Sequence, residues 1–326
     1  VLVLSDCPER LAGLAFAGDG SEVSVGSLAP GEQALWRALG TGRRLWRGKG
    51  ADPGPAGFWS RALVVAEAPG SQFDALRESL GAGLELPGPT ACVALTGRGF
   101  HGQRARSWAA LPGNLHLCPV FPELGLAARD LPSLPMLPVV ALADAVRALS
   151  GGTLRPGIKW VNDVFVDGRK VGGVLTASQT QGDRVGSVLL GIGLNVATAP
   201  AVPATPFVPR VGCLADAGVK VTWADAALAV MESLGRRLVA MVRDGPAALL
   251  EAYRDASLVI GREVCVFPPE AVSGTAAPAS APPARGTVLG IGADLSLTIE
   301  GLAAPVTSGR LAFAEDCPAE STADAG

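Results

Sequence analysis

The stretch from Ile158 to Leu175, IKWVNDVFVDGRKVGGVL, constrains this chain most, because two lysines, an Asn-Asp pair and a double glycine are packed into two short apolar runs. Val164, Val166, Val171 and Val174 alternate or cluster as β-formers around Asp167-Gly168, a dipeptide favoured in tight hairpin turns. That predicts a β-hairpin, with Lys159, Asn162 and Asp163 along its first strand and Lys170 leaving the turn on the second. The polar groups then converge on one end, as an anion site requires. Gly172-Gly173 removes side chains where a ligand or another backbone must come close. Taken alone, an ordinary surface hairpin with solvated lysines is the simpler reading, since glycine in a strand often marks only a bulge.

The rest of the chain changes that balance. Upstream, TGRGFHGQRARSW from Thr96 to Trp108 brings three glycines and several cationic side chains before one Trp. Such a loop can wrap backbone N–H groups and guanidinium forks around phosphate or carboxylate oxygens. It is not a dinucleotide fingerprint, and no Gly-Lys-Ser/Thr ends a P-loop. Downstream, LLGIGLNV from Leu189 to Val196 reads as a buried strand with Gly191 and Gly193, and Asn195 is its one polar side chain. A buried Asn needs a partner.

These segments, in this order, resemble the biotin protein ligase family, also called holocarboxylase synthetases. The family's Gly-Arg-Gly-Arg loop and Trp correspond to Gly97-Arg98-Gly99 and Trp108. Its Lys-Trp-Pro-Asn-Asp, Lys-x-Gly-Gly-x-Leu and Gly-x-Gly-x-Asn strands correspond to Lys159 to Asp163, Lys170 to Leu175 and Gly191 to Asn195. Asn114-Leu115-His116-Leu117 looks like the family's next strand after the loop. The resemblance covers about Phe58 to Phe267, and the plant and algal branch is the most similar in wording.

The resemblance implies an α/β fold: a mixed-sheet catalytic domain of the biotin/lipoate ligase type followed by a small C-terminal β-barrel. It implies a two-step ligation, in which biotin and ATP, with Mg²⁺, give biotinoyl-AMP, and a lysine of a carboxylase's biotin carboxyl-carrier domain then takes the biotin. By family position Lys170 would bind the biotin carboxylate, Arg98 would close over the adenylate, and Lys159 and Asn162 would help position phosphate and Mg²⁺. Asp163 would orient or deprotonate the incoming lysine, which attacks only as a neutral amine. Trp108 would pack on adenine and Asn195 would hydrogen-bond the adenylate. Ser71, Gln72, Gly97, Gly99, Phe100, Gly172 and Gly173 would complete the biotin site, and no side chains would form a dedicated metal site.

The departures from the family pattern cluster in the biotin half. Phe100 stands where a second Arg normally helps retain the adenylate, and Arg104 or Arg106 is placed to substitute for it. Ala94 replaces a Gln that meets biotin's ureido ring, and a hydroxyl-rich segment is reduced to Gly70-Ser71-Gln72. Val161 replaces the usual Pro, a change a strand tolerates well.

At 326 residues the chain can bury a large core. The longest apolar stretch, Leu134 to Leu149, holds two prolines, Asp144 and Arg147, so it predicts an amphipathic helix starting after Pro138 rather than a membrane span. The six cysteines have no paired spacing, which points to a reducing compartment, the cytoplasm or else a plastid or other organelle. With only His101 and His116 and no Cys-x-x-Cys, a structural zinc site is not expected. A net charge of −3 argues against nucleic-acid binding, and Arg43-Arg44 with Arg47 and Lys49 reads as a solvated loop.

Breaks in composition divide the chain into an N-terminal extension of unknown role over 1–57, the catalytic domain over 58–258, and the small β-barrel over 259–316. The last carries a Pro/Ala/Ser-rich, disordered insertion at 268–285 and is followed by a flexible tail over 317–326. The absence of an initiator Met suggests an excerpt or a processed chain, so targeting cannot be judged. Helices are predicted over Gln72 to Leu80, Trp223 to Asp244 and Pro246 to Ala256. Two other functions fit less well: a lipoate or octanoate ligase or transferase on the same fold, and a catalytically silent module that binds an adenylate or a carrier domain.

Overall fold

A computed structural model describes residues 1–14, 18–40, 44–55, 57–268 and 284–317. The first part of the chain supplies β1 (Leu2–Ser5), β2 (Gly20–Glu22), α1 (Pro30–Leu39) and β3 (Trp46–Lys49). It continues through β4 (Arg61–Val65), α2 (Gln72–Gly81), β5 (Thr90–Ala94), β6 (Leu115–Phe121) and α3 (Met136–Leu149). Then come β7 (Gly157–Lys159), β8 (Asp163–Val166), β9 (Arg169–Gln181), β10 (Arg184–Leu194), α4 (Trp223–Asp244) and α5 (Ala247–Asp255). The strands β1 to β10 form one ten-stranded sheet in the order β2-β3-β1-β4-β5-β6-β10-β9-β8-β7. Its β1, β4 and β5 are mutually parallel and the remaining pairs antiparallel.

Both faces of this sheet are covered, and the strand sequences show why. On β4, Ala62 and Val64 join the cluster that includes α3 and α4, whereas Leu63 and Val65 join the cluster that includes α1 and α2. Ala91 and Val93 against Cys92 and Ala94 repeat the alternation on β5. Period-two side chains with no polar face need a layer on each side.

The N-terminal segment is not a separate extension. β1 lies between β3 and β4, with Leu2 opposite both Lys49 and Arg61, and Val3 and Leu4 are buried. The short β-like run at Val1 to Leu4 is visible in the sequence, but its parallel partner is some sixty residues away, and nothing local specifies that pairing. Arg44 pairs with Glu9 at 3.6 Å and with Glu22 on the surface, whereas Arg47 and Lys49, though exposed, lie on β3 rather than in the expected loop, and Arg43 lies outside the described residues.

Helix ends follow their capping chemistry. Thr222 Oγ accepts from the Asp225 N–H while the Asp225 carboxylate accepts from the Thr222 N–H, and Gly245 ends α4 at φ 82°. α3 begins before Pro138 rather than after it, because a proline in the first turn lacks only an N–H that has no intrahelical partner.

Beyond α5, β11 (Glu263–Phe267), β12 (Ala284–Ile291), β13 (Leu297–Ile299) and β14 (Arg310–Phe313) form a small antiparallel sheet ordered β13-β12-β11-β14, where the small barrel is expected. Most of the expected insertion, 269–283, and residues 318–326 of the expected tail lie outside the described residues; Ala284 and Arg285 open β12. Cys265 and Cys317 form a disulfide across a separation of 52 residues, a pairing that linear spacing did not reveal, and the other four cysteines are buried and unpaired. The small sheet is anchored to the large one: Trp160 Nε1 donates to the Leu295 carbonyl at 2.7 Å, and Arg254 of α5 donates to the Ile291 carbonyl.

Candidate active site

The predicted hairpin is present, with Val166 opposite Arg169 and both turn residues left-handed, Asp167 at φ 49° and Gly168 at 72°. That is the geometry for which Asp-Gly is suited. The first strand, however, is broken. Lys159 ends β7, the chain turns through Trp160 to Asn162, and Asp163 begins β8 directly opposite Lys159. Val161 therefore sits in a turn rather than on a strand, after a cis peptide bond, and the buried Tyr253 hydroxyl donates to its carbonyl at 2.9 Å.

On β9 a bulge decides where Lys170 points. Val164 faces Gly172 but Phe165 faces Lys170, so Val171 is an extra residue. In a regular strand Lys170 and Gly173 would project from opposite faces; the bulge re-aims the lysine. Its Nζ lies 2.7 Å from Asp163 Oδ1 and 3.6 Å from where a Cβ on Gly173 would sit. The bulge is held from outside: the Val171 carbonyl accepts from the Asn195 N–H, and Lys170 exchanges backbone hydrogen bonds with Arg210 and Gly212.

Lys170, Asp163, Asn162 and Gly173 form part of the wall of a cleft of about 630 Å³. Ser71, which caps α2 by accepting from the Asp74 N–H, and the next residue Gln72 form another part. Two side-chain acceptors on this wall, Gln72 Oε1 and Asn195 Oδ1, are buried and without a hydrogen-bond partner. Their amide nitrogens are spoken for by the His116 and Gly212 carbonyls at 2.9 and 3.0 Å. Buried acceptors left open in this way call for a ligand that donates.

The loop from Phe100 to Ala109 also lines the cleft. Trp108 lies against Gly193, where a Cβ would come within 2.4 Å of its ring, and its Nε1 donates to His116 Nδ1 at 3.3 Å. Burial pushes the His116 pKa down to about 4, so the ring stays neutral and can accept from Trp108. Phe100 packs edge-on against His116, with ring centres 5.7 Å apart.

Not every expected site residue reaches the cleft. Lys159 is buried with Nζ donating to the Phe207 carbonyl at 2.5 Å, and it lies 5.0 Å from the Phe313 ring centre at the junction with the small sheet. Burial pulls its pKa down to about 8. Arg98 is 86% exposed and faces Glu67 at 3.6 Å, outside the cleft. Gly172 serves packing, since a Cβ there would meet the Gly193 carbonyl at 2.8 Å and Leu142 at 3.0 Å. Gly97 gives room to the Phe100 ring, and Gly99 adopts φ 67° in the loop.

Three lining residues escaped the sequence analysis. His116 sits in a recognised strand, and its polarity amid apolar neighbours was the signal. His101 was visible only as one of two histidines. Arg310 comes from β14, its guanidinium stacked on Phe207 at 3.7 Å, and burial followed by the nearby Arg106 lowers its pKa to about 10. No local pattern links residue 310 to a cleft built around residue 170. Among the described residues no group of three or more His, Cys, Asp or Glu side chains could hold a metal ion.

The model of the Biotin/lipoate A/B protein ligase family matches residues 82–195. A biotin–acetyl-CoA-carboxylase ligase of Mycobacterium tuberculosis is 30% identical over 221 residues, covering 65% of this chain and 77% of that protein. This chain belongs to the biotin protein ligase family. The bifunctional ligase/repressor BirA of Bacillus spizizenii is 34% identical over 110 residues, and the chain spans only 33% of its length. The fold of the family extends further: the biotin protein ligase from Aquifex aeolicus in complex with biotin and ATP superposes with a TM-score of 0.59 at 20% identity, over 77% of this chain and 97% of that one. The matched residues 82–195 include the loop, the hairpin, β10 and Asn195 just after it.

Proposed function

We propose that this member of the biotin ligase family activates biotin with ATP and passes it to a lysine of a carboxylase carrier domain. The observation that carries the reading is the Gln72 acceptor, buried and open on the cleft wall beside Ser71. Biotin's ureido ring offers N–H donors to such a group, and the dithiolane ring of lipoate or the tail of octanoate offers none. The named activity of the Mycobacterium tuberculosis relative supports the same choice.

In the first step a carboxylate oxygen of biotin attacks the α-phosphorus, the bond to the bridging oxygen breaks, and pyrophosphate leaves. Lys170 would hold the attacking carboxylate and later the mixed anhydride, exchanging its Asp163 contact for the substrate's. Trp108 would stack on adenine, and the open Asn195 Oδ1 would accept from a nucleotide donor. Magnesium would arrive on the triphosphate, where it keeps most of its ligands from phosphate and water, with Asn162 and Asp163 supplying oxygens nearby. In the second step the carrier amine attacks the acyl carbon, AMP leaves, and Asp163 takes the proton. We place the enzyme wherever its carriers are made or imported, the cytoplasm or a plastid.

Purified chain with ATP, Mg²⁺, radiolabelled biotin and an apo carrier domain should label one carrier lysine. Labelling by lipoate or octanoate instead would move the assignment to the other branch of the family, and biotin binding without turnover would mark a silent module. No helix among the described residues is long and apolar enough to cross a membrane.

Two variants test the walls. Gly193→Ala puts a Cβ where the Trp108 ring now lies, so the Michaelis constant for ATP should rise roughly tenfold, in line with loss of one base–aromatic stack. The second concerns the arginine missing at Phe100. Arg104 and Arg106 line the cleft while Arg98 does not, which supports a clamp further along the loop. Arg104→Ala with Arg106→Ala should release biotinoyl-AMP roughly tenfold to a hundredfold faster in a trap assay, the value of a charge-assisted hydrogen bond. Phe100→Arg should be neutral.

A further inference from the structure

We propose that the ion pair between His101 and Asp74 is a latch that positions the cleft's loop, so that retention of the acyl-adenylate is strong in mildly acidic solution and weakens as the pH rises; this rests on the ligase reading above. His101 and Asp74 are positioning residues in this proposal, acting through the loop rather than on reacting atoms.

The two histidines of the chain both line the cleft, and their partners impose opposite proton states. His116 accepts at Nδ1 from Trp108, which leaves Nε2 to donate to the Leu111 carbonyl at 3.2 Å; that pattern fits one proton. His101 faces an acceptor on both sides, the Gly102 carbonyl 3.0 Å from Nδ1 and Asp74 Oδ2 2.6 Å from Nε2. Neither partner can donate, so both contacts are hydrogen bonds only when both ring nitrogens carry hydrogen, which favours the imidazolium. The histidine pKa is accordingly raised, first by the Gly102 carbonyl and then by Asp74.

The anchor sits on a capped helix, and the loop is closed on itself by its own hydrogen bonds. Asp74 sits in the first turn of α2, its N–H bonded to Ser71 Oγ and its other carboxylate oxygen 2.8 Å from Arg77. Within the loop, the Gly102 N–H donates to the Arg106 carbonyl at 2.6 Å, His101 bridges to Ser107, and the Trp108 N–H donates to the Phe100 carbonyl. This closed unit carries Phe100, Arg104, Arg106 and Trp108 on the cleft wall. Side-chain hydrogen bonds tie it to the body through His101 to α2 and through Trp108 to β6. The first tie does not involve Trp108, the side chain that would stack on adenine.

The charged and titratable groups facing the pair are Arg77 on α2 and the buried Cys118 thiol on β6, with Arg77 opposing the histidine's charge and Cys118 kept neutral by burial. For Asp74, burial pushes the carboxyl up, but the hydrogen bonds from His101 and then Ser71 outweigh it and the pKa is lowered. Because the histidine value is raised, the latch is complete below the ordinary imidazole range and is lost as pH rises through the raised value. Because the aspartate value is lowered, the acid limb lies below the ordinary carboxylate range.

The test measures release of preformed biotinoyl-AMP into a trap between pH 6 and pH 9, together with amide exchange of residues 99–108 in the ligand-free protein, corrected for intrinsic exchange. Release and exchange should both quicken roughly fivefold across the alkaline limb, the upper end for a partly exposed pair. His101→Gln and Asp74→Asn should be fast at every pH. His101→Lys, which keeps a cation throughout, should be slow at every pH. A native chain whose release and exchange do not vary with pH, or a His101→Lys as fast as His101→Gln, overturns the latch. If no biotinoyl-AMP forms at any pH the ligase reading fails instead, and amide exchange alone still decides the latch.

Discussion

Lys170→Ala is expected to abolish biotin-dependent pyrophosphate release from ATP, with a loss of about a hundredfold or more. The loss should be large because the cation is positioned, and the other cations on the cleft wall, Arg104, Arg106 and Arg310, carry planar forks rather than a compact ammonium. The bulge at Val171 brings Nζ over Gly173, and the flanking bonds to Arg210 and Gly212 hold the backbone there. The neighbouring Lys159 cannot take over, since its ammonium is buried against the Phe207 carbonyl, and Arg98 faces Glu67 outside the cleft. Truncation also leaves Asp163, whose side chain is only 16% exposed, without its counter-ion and adds a negative charge where a carboxylate should bind. Lys170→Arg should fail in large part, as a planar fork does not fit a site shaped for a compact ammonium. Near-normal pyrophosphate release by Lys170→Ala would remove Lys170 from the chemistry and with it the present assignment of the cleft.

What could be read from the sequence was local or motif-borne. The Asp167-Gly168 turn follows from two residues that tolerate positive φ, and α4 from its apolar stripe. The family resemblance then placed Lys170, Asp163, Asn195 and Trp108 together, and the structure gathers all four on one cleft. What could not be read depends on register and long-range pairing. A one-residue bulge turns Lys170 toward Asp163, and a turn at Trp160 to Asn162 carries Lys159 away from the cleft. The same limit hid the insertion of β1 beside β4, the Cys265–Cys317 disulfide and the arrival of Arg310 from the small sheet. In each case the energy that fixes the arrangement is burial or pairing with residues far along the chain. Gly172 separates the two possibilities the double glycine left open, a ligand or another backbone coming close: it gives room to the neighbouring strand and to α3.

Asp163→Asn should separate the two steps of the reaction. The amide keeps the size of the carboxylate and can still accept a hydrogen bond, so Lys170 retains a partner at the distance now seen, 2.7 Å, without full charge. Adenylation needs that lysine's cation and no proton acceptor, and its rate should fall by less than about tenfold. Transfer is different in kind. A lysine amine is overwhelmingly protonated at neutral pH and must lose a proton before or during attack, and an Asn cannot receive it. A positioned general base contributes about a hundredfold to ten-thousandfold, so transfer should slow by at least about a hundredfold. Single-turnover measurements distinguish the steps: biotinoyl-AMP formed from biotin and ATP reads the first, and its discharge on adding apo carrier reads the second. Raising the pH should recover part of the transfer rate in Asp163→Asn, because more of the carrier amine is then already neutral. Equal slowing of both steps, with no recovery at high pH, would make Asp163 the orienting partner of Lys170 and leave the proton to bulk water.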